Sequence, residues 1–233
     1  LHPDDYYALG GERGGIDERW LASTTPADNG PLTPKDEGVS RVVCEHDELV
    51  TLREAVEELG ADLIGERLWN EYHAWPVFSK FFDNLGPLPH HIHHRDRHAK
   101  LVGQRGKPEC YYFPPQLNNH LGEFPATYFG FDPDVKKEEV RACLECFEDR
   151  DNRITELSRA YRIELGTGWY TPAGVVHAPG SVLTYEPQWN SDVNSVYENV
   201  TADEVNSITS LNENCPDDKK DDIDYIMSLM DWD

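Results

Sequence analysis

Between Gly166 and His177 the chain reads Gly166-Thr-Gly-Trp-Tyr-Thr-Pro172-Ala-Gly174-Val-Val-His177, and this stretch limits the fold more tightly than any other. Gly166 permits a turn at a strand edge, Pro172 fixes φ, and Gly174 allows the positive φ that other residues avoid. His177, which follows this turn, is a candidate metal ligand. One imidazole does not hold a metal alone. Upstream, Gly86-Pro-Leu-Pro-His-His91-Ile-His93 supplies an H-x-H pair. Alternation along a strand puts both rings on one sheet face, close enough to chelate a single ion. Glu109 offers a fourth ligand.

The run His90, His91, His93, His94, His98 needs sorting, because histidine-rich tracts also bind metals loosely on surfaces. If His91 and His93 face inward, then His90, Ile92 and His94 face the opposite side. His98 lies beyond the expected strand end. His2, His46, His73 and His120 read as ordinary surface or core side chains.

The glycine, proline and histidine spacing resembles the metal site of cupin barrels. In order along the chain, from about Ile16 to about Val200, further segments resemble the type I phosphomannose isomerases. Glu18-Arg-Trp20 looks like that family's early E-x-W segment, and Val77-Phe-Ser-Lys80-Phe-Phe-Asp83 like its lysine-bearing strand. His91-Ile-His93-His-Arg-Asp-Arg-His-Ala99 is similar to Q-V-H-P-x-x-x-x-A, and Gly106-Lys107-Pro-Glu109-Cys-Tyr-Tyr to G-K-x-E-x-W-Y. Leu183-Thr-Tyr-Glu186-Pro-Gln188-Trp-Asn-Ser191-Asp192 is similar to L-x-x-E-x-Q-x-x-S-D.

The resemblance implies a mainly β fold: a cupin (jelly-roll) barrel with short helical insertions and a C-terminal helix. It places the metal ligands at His91, His93, Glu109 and His177, with His91 standing where the family has glutamine. It implies one divalent ion, zinc first, although three imidazoles and a carboxylate also suit Mn, Fe or Ni. Lys107 and Glu186 become candidates for proton transfer and Lys80 for stabilising an enediolate. Glu18, Trp20, Arg95 and Gln188 become candidates for substrate binding. The activity implied is aldose-ketose isomerisation of a sugar or sugar phosphate through an enediol. One departure bears on the substrate. After Ser191-Asp192 the family continues with Tyr-Arg, whereas this chain reads Val193-Asn-Ser195-Val-Tyr197. Phosphate recognition would then fall to residues such as Lys80, Arg95, Arg97, Lys100 or Arg105. Two other readings follow: a non-catalytic sugar-binding cupin, consistent with the missing arginine, and an Fe(II) cupin dioxygenase, consistent with three histidines and a glutamate.

A chain of 233 residues is long enough for one barrel with helical insertions and short for two full domains. The barrel domain is expected over residues 1–200, with insertions at about 49–68 and 134–150, and an acidic extension over 201–233. The first residue is Leu1, which points to trimming or a longer parent protein. No stretch resembles a signal peptide, and no apolar run approaches the roughly 18 residues of a membrane span.

The formal charge of -23 argues against nucleic-acid binding, which needs lysines and arginines to neutralise phosphates. The charge is uneven: between Lys80 and Lys107 six Lys/Arg stand against two Asp/Glu, an island around the histidine pair. Screening over about 8 Å lets this island outweigh distant acids, so an anionic or polyhydroxylated ligand fits there. Five cysteines, an odd number, form no disulfide framework and suit a reducing cytoplasm. Cys143-x-x-Cys146 has no second pair, and Val140, Cys143, Leu144 and Phe147 trace one helical face, so it reads as core packing. The sequence does not fix the oligomeric state.

Thr51-Leu-Arg-Glu54 reads as a capping box, Leu52, Ala55, Val56 and Leu59 as an apolar stripe, and Gly60 as the stop of a short helix. Strands are expected at 77–82, 110–113, 127–131 and 181–186, the last ending before Pro187. A helix is expected over 134–150, with Asp134 as its N-cap. Residues 198–233 hold 11 acids against two lysines. Ile223, Ile226, Met227 and Met230 nonetheless make a stripe that predicts a terminal helix docked on the barrel or on a partner.

Overall fold

The computed structural model describes residues 18–27, 33–45, 48–84, 86–118 and 121–232. His2, His46 and His120 lie outside them. The strands, in chain order, are β1 (Glu18–Leu21), β2 (Arg41–Val43), β3 (Leu49–Thr51), β4 (Val77–Phe82), β5 (His91–His93), β6 (Glu109–Tyr112) and β7 (Ala126–Phe131). They continue with β8 (Ser158–Arg162), β9 (Gly168–Thr171), β10 (His177–Ala178), β11 (Thr184–Trp189), β12 (Asn194–Val196), β13 (Val200–Thr201) and β14 (Glu204–Val205). The α-helices are α1 (Leu52–Leu59), α2 (Ala61–Ile64), α3 (Glu66–Tyr72), α4 (Asp96–Ala99), α5 (Lys137–Glu145), α6 (Ile208–Asn212) and α7 (Ile223–Leu229).

Two five-stranded antiparallel sheets face each other, in the orders β1-β4-β11-β6-β9 and β12-β5-β10-β7-β8. The fold is mainly β, a jelly roll with helical insertions and a C-terminal helix. Alternation sorts each strand. In β4, Phe78, Lys80 and Phe82 are buried while Val77 is exposed, and in β6, Glu109 and Tyr111 are buried while Cys110 and Tyr112 are exposed. Inside the sandwich, Phe82, Tyr111, Phe113, Ile163 and Val182 form a small apolar core. The larger core lies on the other side of the second sheet. There Ile92, Val176 and Tyr197 pack against Val140, Leu144 and Phe147 around α5, and against Ile226, Met227 and Leu229 of α7. No helix of the described residues is long and apolar enough to cross a membrane.

Local chemistry explains the element boundaries. Thr51 caps α1: its hydroxyl accepts from the Glu54 amide while the Glu54 carboxylate accepts from the Thr51 amide, and Gly60 ends the helix with φ of 47°. Ala55 and Val56 are buried, whereas Leu59 is exposed. The helical insertion continues through α2 and α3 to Tyr72.

Asp134 does not cap the second helix. The turn from Asp132 to Val135 intervenes, with the Val135 amide donating to the Asp132 carbonyl, and Lys136 becomes the N-cap. The Glu139 carboxylate accepts from the Lys136 amide at 2.9 Å. This helix stops at Glu145 because Asn199 Nδ2 holds the carbonyls of Phe147 and Arg150 in a turn. Its Cys143 is partly buried against the core, as packing predicts, and all five cysteines are free.

β11 runs through Pro187 instead of ending before it. Pro187 is exposed, and the ladder to β6 pairs Tyr185 with Tyr112 and Gln188 with Glu109, leaving a gap where proline has no N–H. The apolar stripe near the C-terminus becomes α7, capped by the Asp222 carboxylate and docked on the second sheet. The Tyr197 hydroxyl donates to the Ile226 carbonyl at 2.8 Å, and Ile226 is 5% exposed. Ile226→Ala should lower stability by about 2–5 kcal/mol, read from the denaturant midpoint. A loss below about 0.5 kcal/mol would show that α7 is not part of the core.

Candidate metal centre and its surrounding charges

His91 and His93 lie on β5, and the neighbouring strand β10 sets His177 directly opposite His91. Gly174 adopts φ of 92° in the turn before β10, and its amide donates to the His93 carbonyl at 2.7 Å, which locks the turn to β5. The ring centroids of His91 and His177 are 4.2 Å apart, those of His91 and His93 5.1 Å, and those of His93 and His177 5.3 Å. One ligand atom from each of the three histidines can be chosen so that all lie within 4.8 Å of one another.

Which nitrogen faces the centre follows from hydrogen bonding. His91 Nδ1 meets the Pro89 carbonyl at 2.8 Å, His93 Nδ1 the Val193 carbonyl at 3.1 Å, and His177 Nδ1 the Val175 carbonyl at 2.9 Å. A carbonyl only accepts, so each Nδ1 carries the proton and each Nε2 keeps its lone pair. Across the sandwich, Glu109 Oε2 stands 3.0 Å from His93 Nε2 and Glu109 Oε1 3.1 Å from His177 Nε2. Glu109 Oε2 and His177 Nε2 have no hydrogen-bond partner although both are buried. Buried lone pairs converging without donors fit a cation, and three neutral imidazoles plus a carboxylate fit a divalent transition ion.

Electrostatics prepare that set. Burial, then His177 and His93, hold His91 well below the ordinary imidazole range; burial, then Lys107, lower His93 to about 4. Burial would raise Glu109, but His93 and Lys107 outweigh it and keep the carboxyl well below the usual carboxylate range. Its neighbour Glu186 goes the other way, raised well above the ordinary value by burial and the charge of Glu109, against the pull of Lys80.

Three further charges complete the interior. Lys80 and Glu186 are cross-strand partners, with Nζ and Oε1 3.7 Å apart. Lys80 Nζ also donates to Glu18 Oε1 at 2.7 Å, and Trp20 Nε1 donates to Glu18 Oε2 at 2.6 Å. Burial opposes the charge on Lys80, yet Glu186 and Glu18 more than offset it and raise its pKa. Lys107, 2% exposed, lies 3.7 Å from Glu109 Oε2 and 3.5 Å from Asp192 Oδ1. Gln188 is buried beside its cross-strand partner Glu109; its Nε2 donates to the Ser191 carbonyl at 3.2 Å, and its Oε1 has no partner.

The histidines, Glu109, Lys80, Lys107, Glu186, Glu18, Trp20 and Gln188 thus form one connected polar interior. Arg95 does not join it. Its guanidinium donates to the carbonyls of Ser228 and Met230 and pairs with Asp231, tying α7 to the turn at Gly174. Arg105 donates to the Tyr72 carbonyl and lies over the Tyr72 ring. His90 and His94 face away, toward Glu198 and Ser195. The Val193–Tyr197 segment serves the fold: the Val193 carbonyl holds His93, and the Tyr197 hydroxyl holds α7. Tyr111 and Asp192 are additions to the sequence-derived set. The Tyr111 hydroxyl donates to Glu109 Oε1, and the i, i+2 spacing of Glu109 and Tyr111 on β6 was the available signal.

No family model matches the sequence. The chain is 30% identical over 121 residues to the mannose-6-phosphate isomerase ManA of Bacillus subtilis, a match covering 51% of this chain and 35% of that protein. Among solved structures it is similar to a putative mannosephosphate isomerase from Archaeoglobus fulgidus, with a TM-score of 0.62 at 19% identity, covering 82% of this chain and 58% of that one. It is also similar to the mannose 6-phosphate isomerase from Bacillus subtilis, with a TM-score of 0.60 at 20% identity, covering 97% and 64%. At these identities the structural likeness shows the shared fold. The chain spans less than two thirds of the length of these relatives.

Imidazoles must be neutral to bind a metal, and unfolded histidine titrates near 6.5. Because His93 is lowered to about 4 and His91 is also lowered, proton competition begins below the ordinary range. Bound metal, measured by elemental analysis after equilibration at each pH, should persist through pH 6 and fall toward pH 4. His93→Ala should abolish the tightly bound ion at neutral pH; normal stoichiometry in that variant would reject the ligand set.

Proposed function

We propose that the chain is a metal-dependent aldose-ketose isomerase acting on a sugar or sugar phosphate, with zinc held by His91, His93, Glu109 and His177. The observation that carries this reading is the ring of buried ionisable groups around the histidine centre. Glu186, Lys107 and Lys80 lie in it, and burying so many charges serves chemistry better than stability. The likeness to mannose-6-phosphate isomerases over half the chain supports it.

When bound, the ion supplies Lewis acidity that polarises the substrate carbonyl. The chain's own residues do the rest. Glu186, with its pKa raised by burial and by the charge of Glu109, exchanges a proton with the carbon or oxygen at C1 or C2. Lys107, between Glu109 and Asp192, is the second proton-transfer group. Lys80 is kept as an ammonium by Glu186 and Glu18 and stabilises the negative oxygen of the enediolate. Glu18 aims Lys80, Trp20 anchors Glu18, and Gln188 offers its free Oε1 to a sugar hydroxyl. The sheets exclude bulk water from Lys80, Lys107, Glu186 and Gln188, each less than 10% exposed.

Zinc-loaded protein should interconvert an aldose and its ketose, assayed in parallel on mannose and mannose 6-phosphate. Lys107→Ala should retain one ion per chain and lose at least about 100-fold in kcat. Undiminished turnover would remove Lys107 from the mechanism. Saturable sugar binding without turnover by the metal-loaded wild type would instead establish a binding protein. Iron-dependent oxygen uptake would establish an oxygenase.

A further inference from the structure

The two sheets are treated differently on their outer sides. The outer face of the β12-β5-β10-β7-β8 sheet is covered by α5 and α7, which bury Ile92 and Val176. The outer face of the β1-β4-β11-β6-β9 sheet has no such layer among the described residues. Leu21 is 38% exposed, Val77 46%, Tyr112 42% and Tyr170 61%. Phe81 and Tyr185 lie between them, with ring centroids 5.1 Å apart and planes tilted by 47°. Tyr72 covers one end, with its ring 5.4 Å from that of Trp189. Arg19 is the one charged side chain directed outward from these five strands.

That neutrality is unusual in a chain of formal charge -23. Solvated faces of such a protein are dense in carboxylates and repel other copies of it, whereas this face presents rings and aliphatic groups over all five strands. We propose that it is the contact face of a symmetric homodimer, in which two copies pack this sheet back to back. A neutral face complements itself under a two-fold axis, and its aromatic rings offer the anchors that dimer cores favour. Five strands about 4.8 Å apart and up to six residues long give a flat footprint on the order of 400 Å². Rings standing off that footprint bring the accessible area toward the roughly 800 Å² per partner of a stable interface. The histidine centre lies on the other side of the sheet, so association leaves it unobstructed.

Sedimentation of the full chain across a range of concentrations and salt tests this. The wild type should reach twice the monomer mass. Its dissociation constant should fall as salt rises, because screening weakens the repulsion between two acidic chains while leaving apolar contact intact. Tyr170→Glu and Val77→Glu together should raise that constant by about 100-fold or more, with bound metal and melting behaviour unchanged, since both side chains are exposed. A wild type that stays monomeric at every concentration would overturn the proposal. So would a dimer that survives the double substitution, or one that dissociates as salt rises.

Discussion

Three hydrogen bonds from histidine Nδ1 atoms to backbone carbonyls are the constraint on which the rest of this structure depends. The Pro89, Val193 and Val175 carbonyls fix both tautomer and ring orientation, leaving three Nε2 lone pairs directed at one centre. Each carbonyl is placed by the sheet. Val193 precedes β12, which pairs with β5 so that Asn194 lies opposite His93, and β10 pairs with β5 so that His177 lies opposite His91. A slip of one residue in either ladder would turn the rings to the helix-covered side. Metal chemistry and strand register are therefore one specification.

The carboxylate comes from the opposite sheet, so the centre also requires the sandwich to close. Its interior is correspondingly polar: Lys80, Lys107, Glu109 and Glu186 are each less than 10% exposed. Unpaired, any of them would cost several kcal/mol to bury, but here each faces an opposite charge within 4.0 Å. An interior of this kind contributes little hydrophobic free energy, and the larger apolar core lies outside the barrel, between the second sheet and α5 and α7. This division explains why the C-terminal segment packs so closely despite its acidity. Asp217, Asp218, Asp221 and Asp224 are exposed while Ile226, Met227 and Leu229 supply the core that the barrel interior gives up.

Much of this was legible in the sequence where the signal is local. Alternation separated His91 and His93 from His90 and His94, and Gly174 announced the positive φ that brings β10 beside β5. The Thr51–Glu54 capping box and the stripe at Ile223, Ile226 and Met227 specified helix positions through contacts within a few residues. Long-range contacts were not legible. Asp134 looks like an N-cap, but the turn at Asp132 intervenes; Pro187 looks like a strand end, yet it sits where the ladder to β6 has a gap. Arg95 sits in a basic stretch near the histidines, but its guanidinium is held by carbonyls more than 130 residues away in sequence.

X-ray absorption spectroscopy at the metal edge of the zinc-loaded chain tests this coordination, because it counts imidazoles without assuming an activity. Coordination by His91, His93, His177 and Glu109 gives one ion per chain with three imidazole nitrogens and a carboxylate oxygen in its shell. A shell with one imidazole or none, or one containing cysteine sulfur, would contradict it.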